Sequence, residues 1–205
     1  MLWVATDNGL LKIPIFKELF DNYLLVPDKR WGNAMRGIFE DKSGNVFFKC
    51  EAGAAKGITR LNKISGKLEK CHIGGDFLTD SLLLDRAKHF VVDTSENIAW
   101  TIADNLMKLD LETFELEVVA SLEGICNSFS HNPLTQLPGG DLLLGSTVEA
   151  LAVFKHSTGS FEKIPARHLA AFKGLDTEVF LPCDDGTVWV GTASKGLLKI
   201  NLAGQ

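Results

Sequence analysis

Asp185-Gly186-Thr187-Val188-Trp189-Val190-Gly191-Thr192, followed by Gly196-Leu197-Leu198-Lys199-Ile200, is a turn, an apolar run, and a second run that ends in a basic and an aliphatic residue. The chain opens on the same pattern: Leu2-Trp3-Val4-Ala5-Thr6, then Gly9-Leu10-Leu11-Lys12-Ile13. It recurs between these ends. Aligned on Gly44, Glu96, Gly140 and Gly186, the third residue onward is Phe47, Ala99, Leu143 or Trp189, with Trp3 as the fifth member. Three residues further lie Cys50, Ile102, Ser146, Thr192 and Thr6, and the steps between copies are 44, 52, 44 and 46 residues. A repeat of this length made only of strand patterns predicts an all-β chain. The specific expectation is a β-propeller of four-stranded antiparallel blades with five repeats, its ring open or partial. The whole chain, 1–205, reads as a single β-propeller domain, with repeats near 1–29, 30–74, 75–122, 123–166 and 167–205.

Each position in the repeat has a physical reason. Asp41-Lys42-Ser43-Gly44-Asn45 and Asp184-Asp185-Gly186 are hairpin turns, because glycine reaches positive φ at little cost and Asp or Asn bonds the nearby backbone. The strand after the turn is apolar on successive residues, as in Val46-Phe47-Phe48 and Leu142-Leu143-Leu144, which predicts cover on both faces. Third strands are expected at 57–61, 105–109 and 150–154, and charged outer edges at 65–70, 113–118 and 160–164. Innermost strands precede the turns, at 35–40, 89–93, 131–137 and 178–181.

The phrase Asp-x-Gly-x-x-Trp-x-Gly-Thr followed by Gly-Leu-Leu-x-Ile, at residues 184–200, closely resembles the repeats of two-component regulator propellers, found in the sensor regions of bacterial hybrid histidine kinases. Residues 2–13 match its second half, and residues 41–61 match with Phe47 in place of Trp and Cys50 in place of Thr. The resemblance implies a propeller that serves signal transduction as a sensor input. Streptogramin lyases and lactone hydrolases share the gross repeat and make a propeller enzyme the alternative. A structural assembly subunit is the third reading.

Composition narrows the partners. With a net charge of −5 and no basic stripe, nucleic acid is not an expected partner, and the apolar runs are too short for a membrane span. A free-standing chain without a signal peptide would be cytoplasmic, whereas a fragment of a sensor protein would be periplasmic. The scattered cysteines Cys50, Cys71, Cys126 and Cys183 decide neither, and Cys50 sits in a buried-strand position as an apolar filler. The first unit lacks its first strand and the last its fourth, so homo-oligomerisation through the incomplete blades is expected.

Catalytic and metal patterns read as ordinary blade parts. Gly139-Gly140-Asp141 and the 53–57 loop lack a phosphate-cradle ending, and Gly145-Ser146 is not a nucleophile elbow. The loop from Asp93 has Ile98 where a calcium loop needs glycine, and His72, His89, His131, His156 and His168 lack zinc spacing. No catalytic residue, metal or cofactor is expected. The functional candidate is a polar tier at the start of the innermost strands, Arg36, Lys88, Asn132 and Glu178, above a uniformly apolar tier of Ile38, Phe90, Leu134 and Phe180. Ringing the channel mouth, it would hold a small polar ligand such as a carbohydrate or small acid, unless a protein is the partner. Trp31, beside Arg30 and Asn33 in a long loop, would supply a stacking platform, and residues 165–172 suit a short helix.

Overall fold

A computed structural model describes residues 2–6, 9–13, 35–50, 57–72, 87–125, 133–145, 151–164 and 177–202, with residues 2–13 and 35–36 as backbone alone. Among them are five antiparallel sheets and no helix. The first unit holds β1 (Leu2–Thr6) and β2 (Gly9–Ile13), paired from Leu2 with Ile13 to Thr6 with Gly9. The second holds β3 (Met35–Glu40), β4 (Val46–Cys50), β5 (Gly57–Leu61) and β6 (Leu68–Lys70) in that order. The third holds β7 (Phe90–Asp93), β8 (Ile98–Ile102), β9 (Asn105–Asp110) and β10 (Leu116–Ser121). The fourth repeats this with β11 (Leu134–Gln136), β12 (Leu142–Leu144), β13 (Ala152–Lys155) and β14 (Ser160–Lys163). The last has three strands, β15 (Thr177–Pro182), β16 (Thr187–Thr192) and β17 (Gly196–Asn201). Sequential neighbours pair throughout, as four-stranded meanders require. The expected helix at 165–172 and Trp31 lie outside the described residues.

The innermost strands contact one another in chain order, β3 with β7, β7 with β11 and β11 with β15. Between the sheets lie three apolar seams. Phe39, Phe47 and Ile58 of the second unit meet Ala99, Met107 and Leu109 of the third. Trp100, Ile102 and Leu106 of the third meet Leu134, Leu142, Leu144 and Phe154 of the fourth. Leu143, Leu151 and Val153 of the fourth then meet Phe180, Val188 and Val190 of the last. Each sheet thus has a forward face toward the next unit and a rear face toward the preceding one. Fully covering a Phe or Leu side chain contributes about 1.5–3 kcal/mol, so the seams dominate the stability of an array whose sheets are each only three or four strands wide.

One alignment is corrected by a residue. In the second, fourth and last units the left-handed turn position is Gly44 (φ 82°), Gly140 (φ 90°) and Gly186 (φ 77°), but in the third it is Asn97 (φ 56°) and not Glu96. Asn enters this conformation more readily than other residues with a Cβ. The third unit's turn pairs Asp93 with Ile98 and so encloses four residues, whereas Asp41 and Asn45 of the second unit enclose three. Trp100, not Ala99, therefore takes the position of Phe47, Leu143 and Trp189: it points forward into its seam while Ala99 points back.

A second expectation fails at the last unit. The central strand was to be covered on both faces, yet Trp189 is only half-buried, with Lys199 Nζ 5.2 Å from its ring centroid. Around it on the same forward face, Val179, Leu181 and Leu197 are 58%, 63% and 63% exposed. The apolar tier of the inner strands is likewise not uniform in burial: Phe90, Leu134 and Phe180 are packed in seams, whereas Ile38 is 76% exposed. Cys50 and Cys71 are buried, the first as expected, and Cys183 is half-exposed.

Candidate functional site

The inner strands begin on one rim of the molecule and run toward the hairpin turns on the other. The turn rim is built from aspartates that serve the backbone. Asp41 accepts from Ser43 N and Asn45 N at 2.9 Å, and Asp93 from Ser95 N at 2.9 Å and Glu96 N at 3.2 Å. Asp141 accepts from His156 N and, at 2.8 Å, from Lys155 Nζ. These carboxylates hold turns and outer hairpins together, which agrees with reading the Asp93 loop as a hairpin. Among the described residues no group of three or more His, Cys, Asp or Glu side chains is arranged to hold a metal ion.

The opposite rim carries the polar tier. Lys88 is half-buried two residues before β7, and Glu178 is exposed in β15. Arg36 lies in β3 with its backbone paired to Lys49, but its side chain, like Asn132 and Trp31, lies outside the described residues. Two irregularities fall at this level. The β3–β4 register shifts between Arg36 and Ile38 around Gly37 (φ 63°), and the β15–β16 register shifts between Thr177 and Val179 around Glu178. A bulge inserts one residue and re-aims the side chains beside it, a device found next to binding sites. Gly37 is also held by space, since a Cβ there would meet the Phe90 ring at 2.5 Å.

Below the tier the seams are polar in ways the sequence reading did not anticipate. Lys49 is 1% exposed and its Nζ donates to Ala87 O at 2.7 Å, tying the second unit to the start of the third. At the equivalent point of the seam between the fourth and last units, Gly145 leaves no room for a Cβ against Pro133 and the Thr177 hydroxyl. Thr177 is 3% exposed and its Oγ1 has no hydrogen-bond partner among the described residues. Thr101 Oγ1 donates to His89 O at 2.7 Å within the third unit. A lysine inside an apolar run, or a threonine beside the candidate glutamate, was the available signal for two of these. The rim therefore presents the half-buried Lys88 and the exposed Glu178 above a close-packed base.

Structural comparison places the architecture. The extracellular domain assigned to hybrid two-component system BT4673 of B. thetaiotaomicron superposes with a TM-score of 0.62 at 16% identity, over 84% of this chain and 23% of that one. The corresponding domain of system BT3049 from the same organism gives 0.61 at 14%, over 83% and 24%. The chain has a β-propeller fold. A gluconolactonase, XC5397 of Xanthomonas campestris, gives 0.57 at 14% over 86% of this chain and 59% of that one, so the propeller fold is shared with an enzyme as well. The propeller spans about a quarter of the length of the sensor domains it matches. No family model and no curated protein matches the sequence. Among the described residues the propeller has no helix long and apolar enough to cross a membrane.

Proposed function

We propose that this propeller is a non-enzymatic recognition module that binds a small polar ligand at the rim where the inner strands begin, as the input part of a signalling protein. The observation that carries the reading is the placement of the two inner-strand bulges, at Gly37 and Glu178, on the level where Lys88 and Glu178 are available to solvent. Charges of both signs at one level suit a ligand with hydroxyl and acidic groups, such as a sugar acid. The sensor domains, at 16% and 14% identity, and the gluconolactonase, at 14%, share the fold alone, and the input role follows the resemblance of residues 184–200 to sensor repeats.

Titration calorimetry with a panel of neutral sugars, uronic acids and small dicarboxylates tests the proposal. A compound that binds wild type should lose at least about tenfold in affinity with Lys88→Ala and with Glu178→Ala, roughly 1.4 kcal/mol each. Affinity unchanged in both variants would remove the rim from consideration.

A further inference from the structure

We propose that Lys49 is a positioning residue of the rim site: from the second unit it fixes the backbone that carries Lys88 in the third, and so sets how the Lys88 amine meets a ligand. The inference rests on the reading of the rim as a binding site and adds the group that holds it in shape.

The direction a side chain leaves the backbone follows from the two planar peptide units that flank its Cα. Around Lys88 both units are engaged by the neighbouring sheet. The unit before it carries Ala87 O, which accepts from Lys49 Nζ at 2.7 Å, with Ala87 and Lys49 both buried. The unit after it carries Lys88 O, which lies against Gly37 of β3: a Cβ on Gly37 would stand 3.0 Å from that oxygen. One peptide further, His89 O accepts from Thr101 Oγ1 of β8 at 2.7 Å. Three successive carbonyls are thus held, the first two from β4 and β3 across the seam. The bulge at Gly37 and the buried lysine then have one joint effect, which is to seat residues 87–89.

The repeat itself does not ask for a lysine here. Two residues after Phe47, Trp100, Leu143 and Trp189 stand Lys49, Ile102, Gly145 and Gly191. Ile102 is buried in its seam, so an aliphatic side chain fills the position where packing alone is needed. Burying an ammonium costs desolvation that an aliphatic group avoids. What the lysine supplies and isoleucine does not is a charged donor that reaches Ala87 O, and such a bond is stronger than one between neutral groups. A Lys88 whose backbone is already fixed has less freedom to lose on binding, which raises affinity without any new contact to the ligand.

Titration calorimetry of glucuronate into the full chain tests this with Lys49→Met, Lys49→Ile, Lys88→Ala and the doubles that combine Lys88→Ala with each of the first two. Lys49→Met keeps the apolar stem and removes the donor; Lys49→Ile installs the residue that the third unit uses. Each should weaken glucuronate at least about fivefold, the order expected when one long side chain must be ordered on binding. In the Lys88→Ala background either should change affinity by less than about twofold, because substitutions that act through one group are not additive. Without ligand, amide exchange over residues 87–92 should quicken in both single variants while β9 keeps its protection. Loss of affinity in Lys88→Ala with none in the Lys49 variants would overturn the proposal and leave the rim site standing. Full additivity would overturn it too, since a lysine that only steadies the seam weakens binding with or without Lys88; so would unchanged exchange over residues 87–92. Failure of wild type to bind glucuronate, or indifference to Lys88→Ala, would remove the rim site and this proposal with it.

Discussion

Asn97 does the work of a glycine. It is buried, sits at φ 56°, and its Oδ1 has no hydrogen-bond partner among the described residues. A Cβ in the left-handed region costs about 1–2 kcal/mol for an ordinary residue and nothing for glycine. Asn97→Gly should therefore exceed Asn97→Ala in unfolding free energy by about 1 kcal/mol. Urea denaturation of the two variants measures the difference, and equal midpoints would show that the turn relaxes. The same residue explains why the third unit was misaligned by sequence. Glycine marks the turn in the three neighbouring units, so a glycine-based alignment has nothing to hold there, and Glu96 was chosen one residue early. Only the enclosed length of the loop, settled by the pairing of Asp93 with Ile98, puts Trp100 in register.

Between elements, the seam from the third to the fourth unit is partly electrostatic. Ser95 Oγ and then Gln136 Nε2 donate to Asp93, and these bonds lower its carboxyl from 3.8 to about 2. A carboxylate whose folded pKa is depressed adds stability above its unfolded pKa, and that contribution is lost as pH falls toward the folded value. Stability should thus decline between about pH 4 and pH 2. Gln136→Leu removes one of the donors, so its own decline over this interval should be shallower than that of wild type. Guanidinium unfolding at stepped pH reads this out, and parallel curves for the two proteins would show that the inter-sheet bond does not contribute. Strand existence was legible because alternating and continuous apolar runs report burial directly. Three inner strands were found within one residue, as at Met35–Glu40, and β11 is shorter than expected, Leu134–Gln136 against 131–137, whereas the bulges at Gly37 and Glu178 were not legible, since a bulge changes pairing without changing composition.

At the scale of the molecule, stability is passed from neighbour to neighbour. The sheet of β7 to β10 is packed on both faces, and the sheet of β15 to β17, among the described residues, on its rear face alone. Amide exchange should be slowest in β8 and β9 and measurably faster in β16 and β17, because a sheet with one seam opens by breaking one interface instead of two. Exchange mass spectrometry at low protein concentration tests this; uniform protection would mean that the array unfolds as one block. The candidate tier was legible only as an equal offset within the repeat; register shifts beside Arg36 and at Glu178 interrupt it, and Asn132 lies outside the described residues. Burial beneath the tier was not legible, because Lys49 and Thr177 owe theirs to a neighbouring sheet that no local pattern announces.

Cys71 closes the outer end of the first seam, where its backbone N–H donates to Ile58 O. Burial, partly opposed by the nearby Arg60 guanidinium, pushes its thiol up to about 12. At neutral pH that sulfur is protonated and a poor nucleophile, so oxidants and electrophiles reach it only after the sheet edge has lifted away. The interior of this sheet is then indifferent to the redox poise of its surroundings for as long as it stays shut.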